Sequence, residues 1–191
     1  MAETTELTRT IEGALVPQPG TYVLDVAHTV VGFVVRHLMV SKVRGTFQDF
    51  AGSITVDEDP ARSGVEATIE VASVHTRDPQ RDAHLRSGDF FEAERYPTMT
   101  FSSTGVRRSG DHWSVDGNLT IRDVTRPVTL ELEFNGAIAD PYGGTRIGFS
   151  AHTEIDREDY GMTFNTVLES GGVAVSKRVQ IELEVEAVLQ A

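Results

Sequence analysis

The chain has 191 residues, 39% of them hydrophobic and 24% charged, with a net charge of −12. That length suits one domain with a sizeable core, the composition suits neither a disordered nor a membrane-spanning chain, and the acidic balance disfavours a phosphate backbone as partner, so no nucleic acid is expected. There is no cysteine, which excludes disulfides, thiolate catalysis and Cys-ligated metals.

From the N-terminus, residues 1–19 read as a partly mobile lead-in and residues 20–191 as the domain. The lead-in carries Glu3, Glu6 and Glu12 against the single cation Arg9, and its longest apolar run is Ala14-Leu15-Val16. A secretory leader needs a basic start and a longer apolar stretch, so a cytoplasmic location is expected. Nowhere is there an apolar run of the ~20 residues that a membrane-spanning helix needs.

The first periodic segment, residues 31–38, sets Val31, Phe33, Val35 and His37 against Gly32, Val34, Arg36 and Leu38. Strands of the same kind are predicted over 65–71, 113–121, 128–134, 147–153 and 179–188, the last setting Ile181, Leu183 and Val185 against Glu182, Glu184 and Glu186. Alternate side chains of a strand point to opposite faces, so each strand has one dry and one wet face, as in antiparallel sheet. Turn signals separate them at Gly45, Gly52, Asp57 to Pro60, Ser109-Gly110-Asp111, Asp123 to Pro127 and Asp140 to Gly144. About eight strands so spaced imply a sandwich or a barrel, and closure into a barrel removes unpaired edges. Two segments lose the alternation. Residues 80–95 read as one or two short helices, and residues 158–170, with Tyr160, Met162, Phe164 and Leu168, as irregular or briefly helical.

Several motifs, in this order, resemble the YceI-like family of polyisoprenoid-binding, lipocalin-like proteins. They begin with Tyr22-Val23-Leu24-Asp25 and Ala27-His28-Thr29, and continue with Val43-Arg44-Gly45-Thr46-Phe47 and Phe50-Ala51-Gly52. Next come Arg81-Asp82-Ala83-His84-Leu85-Arg86-Ser87, Asp89-Phe90-Phe91 and Tyr96-Pro97. Gly117-Asn118-Leu119-Thr120-Ile121, Val124 to Val128, Ile155-Asp156-Arg157 and Tyr160-Gly161-Met162 complete the set. The resemblance spans residues 20–188 and implies an extended eight-stranded antiparallel barrel with one or two short helices, an elongated apolar interior and a homodimer. Thr29 replaces a more usual Ser, and Arg122-Asp123 a more usual small or glycine-containing turn. Many relatives are periplasmic, unlike the location expected from this N-terminus.

The expected ligand is therefore a polyisoprenoid or similar amphiphilic lipid, held non-covalently with no cofactor. Cavity positions are expected at Phe33, Val35, His37, Phe47, Ile69, Val71, Phe90, Phe91, Met99, Phe101, Leu119, Leu130, Phe149, Met162 and Phe164. Phe90, Phe91, Met99 and Phe101 could equally plug one end of the barrel, and the resemblance favours lining. The small inward residues Ala67, Gly117 and Ala151 suggest open space. His84, Arg86 and His28 are candidates to hold a polar head, Arg being suited to phosphate oxygens. The competing reading of 81–86 is a charged helix whose Asp82 caps it or pairs with Arg86, and His37 reads equally as a buried, hydrogen-bonded group. No nucleophile elbow, phosphate loop or zinc-protease motif occurs, so neither catalytic residues nor a metal site are expected. Two alternatives stay open: a metal protein or enzyme using His28, His37 or His84, and a filled barrel whose acidic surface binds a basic protein.

Overall fold

The computed structural model describes residues 6–110, 112–141, 143–167 and 173–190, so the readings at residues 1–5, Asp111, Tyr142, Leu168, residues 169–170 and Ala191 lie outside the described residues. In chain order the strands are β1 (Thr8–Ile11), β2 (Ala14–Pro17), β3 (Gly20–Leu24), β4 (Val30–His37), β5 (Ser41–Phe47), β6 (Phe50–Val56), β7 (Gly64–Glu70) and β8 (Val74–His75). After helix α1 (Pro79–Arg86) come β9 (Thr98–Ser109), β10 (His112–Ile121), β11 (Val124–Ala139), β12 (Thr145–Asp156) and β13 (Val175–Leu189).

Eight strands close a ring in the order β12-β11-β10-β9-β7-β6-β3-β13, sealed by β12 pairing with β13. Every pairing is antiparallel, so the domain is an eight-stranded closed barrel with extra strands. The extra wall is β4-β5-β8, and it exists because β13 forks. Ala187 to Leu189 pair with β3, whereas Val175 to Glu184 pair with β4. At the fork the Thr29 hydroxyl stands in for a backbone partner. It donates to the Glu186 carbonyl and accepts from the Glu186 N–H, both at 3.1 Å. Outside the fork, Arg146 holds Asp25, Asp140 at 2.7 Å and Glu186 at 3.0 Å.

All six predicted strands occur, but β11 and β12 run well past their predicted ends. A bulge between Phe134 and Gly136, with Gly136 at φ +129°, resets the alternation, so the periodic stretch stops short of the strand. A register shift at Asp116/Gly117 hides β9 in the same way. Met99 and Phe101 face inward before it and Val106 after it, so no single phase spans the strand. Part of the lead-in, residues 8–17, forms the β1–β2 hairpin. Its Val16 is buried, and Arg9 donates to the Asp57 and Glu58 carbonyls. Arg122, in the two-residue β10–β11 turn, sits at φ +58° and bonds the Gly161 carbonyl and Glu92.

The predicted helical stretch contains one helix, followed by turns. Asp82 neither caps α1 nor pairs with Arg86. The cap is Asp78, which accepts from the Gln80 and Arg81 N–H groups ahead of Pro79. Asp82 is buried and accepts the Thr76 N–H at 2.8 Å and the Thr76 hydroxyl at 2.5 Å. It thereby locks α1 to the end of β8. Residues 157–160 form a 3-10 turn capped by Asp156. No helix among the described residues is long and apolar enough to cross a membrane.

Candidate functional site

Inward side chains do not fill the barrel. They surround a cavity of about 470 Å³, within the ~300–1,000 Å³ range of preformed ligand pockets. At one end its wall is Val16, Pro17 and Pro60, where the β1–β2 hairpin covers the barrel. Trp113, Leu132, Phe134 and Phe149 follow, then Ala67, Phe101, Leu119 and Leu130 at mid-height, and Ile69, Met99, Val179 and Ile181 below them. At the α1 end the wall is Phe33, Val35, His37, Phe47, His84, Phe90, Phe91, Arg157, Met162 and Phe164. The strand phases produce this directly: the inward face of β7 and β10 is apolar throughout, and that of β4, β11, β12 and β13 is mainly apolar, with His37 on β4 and Thr153 on β12 as polar exceptions at the cavity wall.

Fourteen of the fifteen expected cavity residues border this space. The exception is Val71. It lies in the 3-10 turn 71–73, where the chain leaves strand geometry, and packs into the surrounding core with 1% of its surface exposed. Ala67 and Ala151 border the cavity, but Gly117 does not open it. A Cβ there would lie 2.4 Å from Phe101 Cζ and 2.8 Å from the Ser102 carbonyl, so the glycine is the seat of the Phe101 ring. Gly45 seats Phe33 in the same manner, with Phe33 Cζ at 2.3 Å.

Two of the three expected head-group residues are elsewhere. Arg86 points back along the barrel rim and donates to the carbonyls of Ala72 at 2.8 Å and Val74 at 3.1 Å, tethering α1. His28 sits outside the fork, paired with Asp25 at 2.9 Å and largely exposed. His84 does border the cavity. Its ring packs edge-on against Phe90 and Phe164 at 5.1 and 4.9 Å, and its Nε2 is 2.8 Å from Asp89. His37 is exposed at the same end, not buried within the core.

The polar group that sequence reasoning passed over is Arg157. It is 3% exposed, and no carboxylate pairs with it among the described residues. Its Nε donates to the Ser176 carbonyl at 3.0 Å and one terminal nitrogen to the Met162 carbonyl, while the other terminal nitrogen is buried without an acceptor. Its guanidinium lies 5.9 Å from the Phe90 ring centroid, and burial draws its pKa below the usual arginine value. A signal existed: Phe149, Ala151, Thr153, Ile155 and Arg157 keep the inward phase of β12 past the strand end.

Asp25, His28 and Glu186 present metal-capable atoms within 4.8 Å of one another. The cation within that group is already the Arg146 guanidinium, whose hydrogen bond holds the Asp25 carboxyl down to about 2, with His28 a smaller cause. His37 and His84 belong to no group of three or more metal-capable donors among the described residues.

A closed antiparallel barrel with an apolar hollow and a fringe of polar groups at one end defines a lipocalin-like protein. Residues 22–187 match the model of the YceI-like domain, and the chain belongs to that family. It is 43% identical over 164 residues to Protein YceI of Escherichia coli O157:H7, covering 85% of this chain and 83% of that protein. The crystal structure of the Campylobacter jejuni YCEI protein superposes with a TM-score of 0.70 at 34% identity, over 88% of this chain and 97% of that one. A polyisoprenoid binding domain from Saccharophagus degradans, at 16% identity and a TM-score of 0.66 over 91% of this chain and 100% of that one, shares the fold.

Proposed function

We propose that this protein binds and carries one long-chain amphiphile of isoprenoid type, its tail along the cavity and its polar end beside Arg157 and His84. The observation that carries the reading is an apolar hollow of about 470 Å³ whose wall contains one buried cation lacking a full set of acceptors. Tail burial supplies about 0.8 kcal/mol per methylene. A polar ligand end would complete the hydrogen bonding of Arg157, whose unpaired buried N–H otherwise costs about 1–3 kcal/mol. Membership of the YceI-like family and the shared fold of a polyisoprenoid binding domain support the same reading.

The hollow interior disfavours the filled-barrel alternative. The separation of His28, outside the fork, from His37 and His84 at the cavity end disfavours a joint histidine centre. The test is organic extraction and mass spectrometry of gently purified protein, followed by titration with a prenol and a prenyl acid of equal chain length. Both should bind, the acid more tightly, and Arg157→Met should abolish the preference while keeping the prenol. If neither ligand binds, the carrier reading is wrong.

A further inference from the structure

The β4–β5 hairpin ends in an apolar tip beside the α1 end of the cavity. The chain turns at Leu38 and Met39 with φ of +50° and +60°, a left-handed conformation that bulky residues rarely adopt. Leu38, Met39 and Val40 are 39%, 56% and 82% exposed. The Leu38 N–H donates to the Ala174 carbonyl at 2.8 Å, and the Ala174 N–H donates to the Thr166 carbonyl at 3.0 Å. The tip is thus tied to the segment that carries exposed Val167 and the cavity residues Phe164 and Val175. A single exposed aliphatic residue needs no explanation, whereas a contiguous apolar patch at the mouth of an apolar cavity does.

The stem of the hairpin supplies an independent observation. Arg36 and Lys42 are directly opposite in register, a like-charged cross-strand pair that works against the sheet. Neither is in an ion pair among the described residues, and the neighbouring Arg44 reaches Glu182 only at 3.8 Å. From Val26 to Gln48 there are three Lys or Arg residues and no carboxylate, in a chain with 29 acidic and 17 basic residues. Repelling cations behind an apolar tip suit a surface that is apolar inside and anionic at its edge.

We infer that the β4–β5 hairpin docks on an anionic lipid bilayer. Leu38, Met39 and Val40 enter the interface and Arg36, Lys42 and Arg44 meet lipid phosphates. The inference rests on the carrier reading for its purpose: it places the cavity mouth at the membrane, so that a lipid tail passes between bilayer and barrel with little contact with water. Apolar insertion and electrostatic attraction to anionic lipid add in such interfacial binding, and the second falls with salt.

The experiment is flotation of the full chain with vesicles of phosphatidylglycerol and phosphatidylcholine, against pure phosphatidylcholine, at low and physiological salt. Wild-type protein is expected to float with the anionic vesicles and to be released by salt. Arg36→Glu with Lys42→Glu should weaken binding at least tenfold. Leu38→Asn, Met39→Asn and Val40→Ser together should abolish it while preserving the fold, because Asn accepts left-handed φ. If that triple variant unfolds by circular dichroism, Val40→Ser alone, at the most exposed position, replaces it with an expected weakening of several-fold. Both classes of variant should keep wild-type affinity for a prenol in vesicle-free solution, so failure of the carrier reading would show separately in that titration. Absence of flotation, equal flotation with both vesicle types, or insensitivity to the substitutions overturns the inference. So does sedimentation showing a dimer that the tip variant dissociates without any vesicle binding, which would make this face an interface between copies.

Discussion

Replacing Ala67 by Phe tests whether the interior is a binding cavity. Ala67 lies on β7 in register with Phe101 on β9, and its side chain borders the hollow at mid-height. Phenylalanine adds about six carbons to that space. If the ring excludes three or four methylenes of a bound tail, at about 0.8 kcal/mol each, affinity falls by about 2.4–3.2 kcal/mol, or roughly 60- to 200-fold. Stability should move by less than about 1 kcal/mol, because the ring enters unoccupied space of a cavity of about 470 Å³. In a filled core the same change would cost about 1–3 kcal/mol. The paired assay is thermal or urea unfolding of ligand-free protein together with titration of a long prenol. A variant that loses stability while wild type and variant bind the prenol equally would refute the reasoning.

Gly117→Ala should behave oppositely to Ala67→Phe, costing about 1–3 kcal/mol in urea unfolding because its Cβ would meet the Phe101 ring and the Ser102 carbonyl. Arg86→Ala should lower stability by about 1 kcal/mol through loss of its two carbonyl contacts, with prenol affinity unchanged in the same titration. Asp82→Ala, which strands the buried Thr76 N–H and hydroxyl, should cost about 2–3 kcal/mol by denaturant melt. Asp25 has its pKa lowered from 3.8 to about 2, so it contributes stability that is complete above the unfolded value and is lost as pH falls through about 2. Asp25→Asn should therefore lower the melting temperature at pH 7 and differ less from wild type near pH 2, as calorimetry across that range would show.

The alternation of Val31, Phe33 and Val35, of Leu130 and Leu132, and of Ile181, Leu183 and Val185 by itself determined which face of each strand is dry. Turn chemistry at Asp57 to Pro60 and from Asp140 separates strands, whereas Gly45 and Gly52 lie inside β5 and β6, and Val124 to Pro127 begin β11. Together with the family motifs, the alternation makes the barrel and fourteen cavity residues legible in the sequence. Periodicity fails where a bulge shifts phase, which is why β9 and the far part of β11 carry no strand signal of their own. Only the tertiary structure decided what each polar group bonds to. Arg86 and Arg157 look alike in the chain. Yet α1 turns the first toward the carbonyls of Ala72 and Val74, whereas the inward phase of β12 carries the second into the cavity wall. Gly117 likewise suggests open space along the chain, but in the fold the Phe101 ring from the neighbouring strand lies across it. Periodicity reports the direction of a side chain from its own backbone, and the occupant of the space it points into comes from strands distant in sequence.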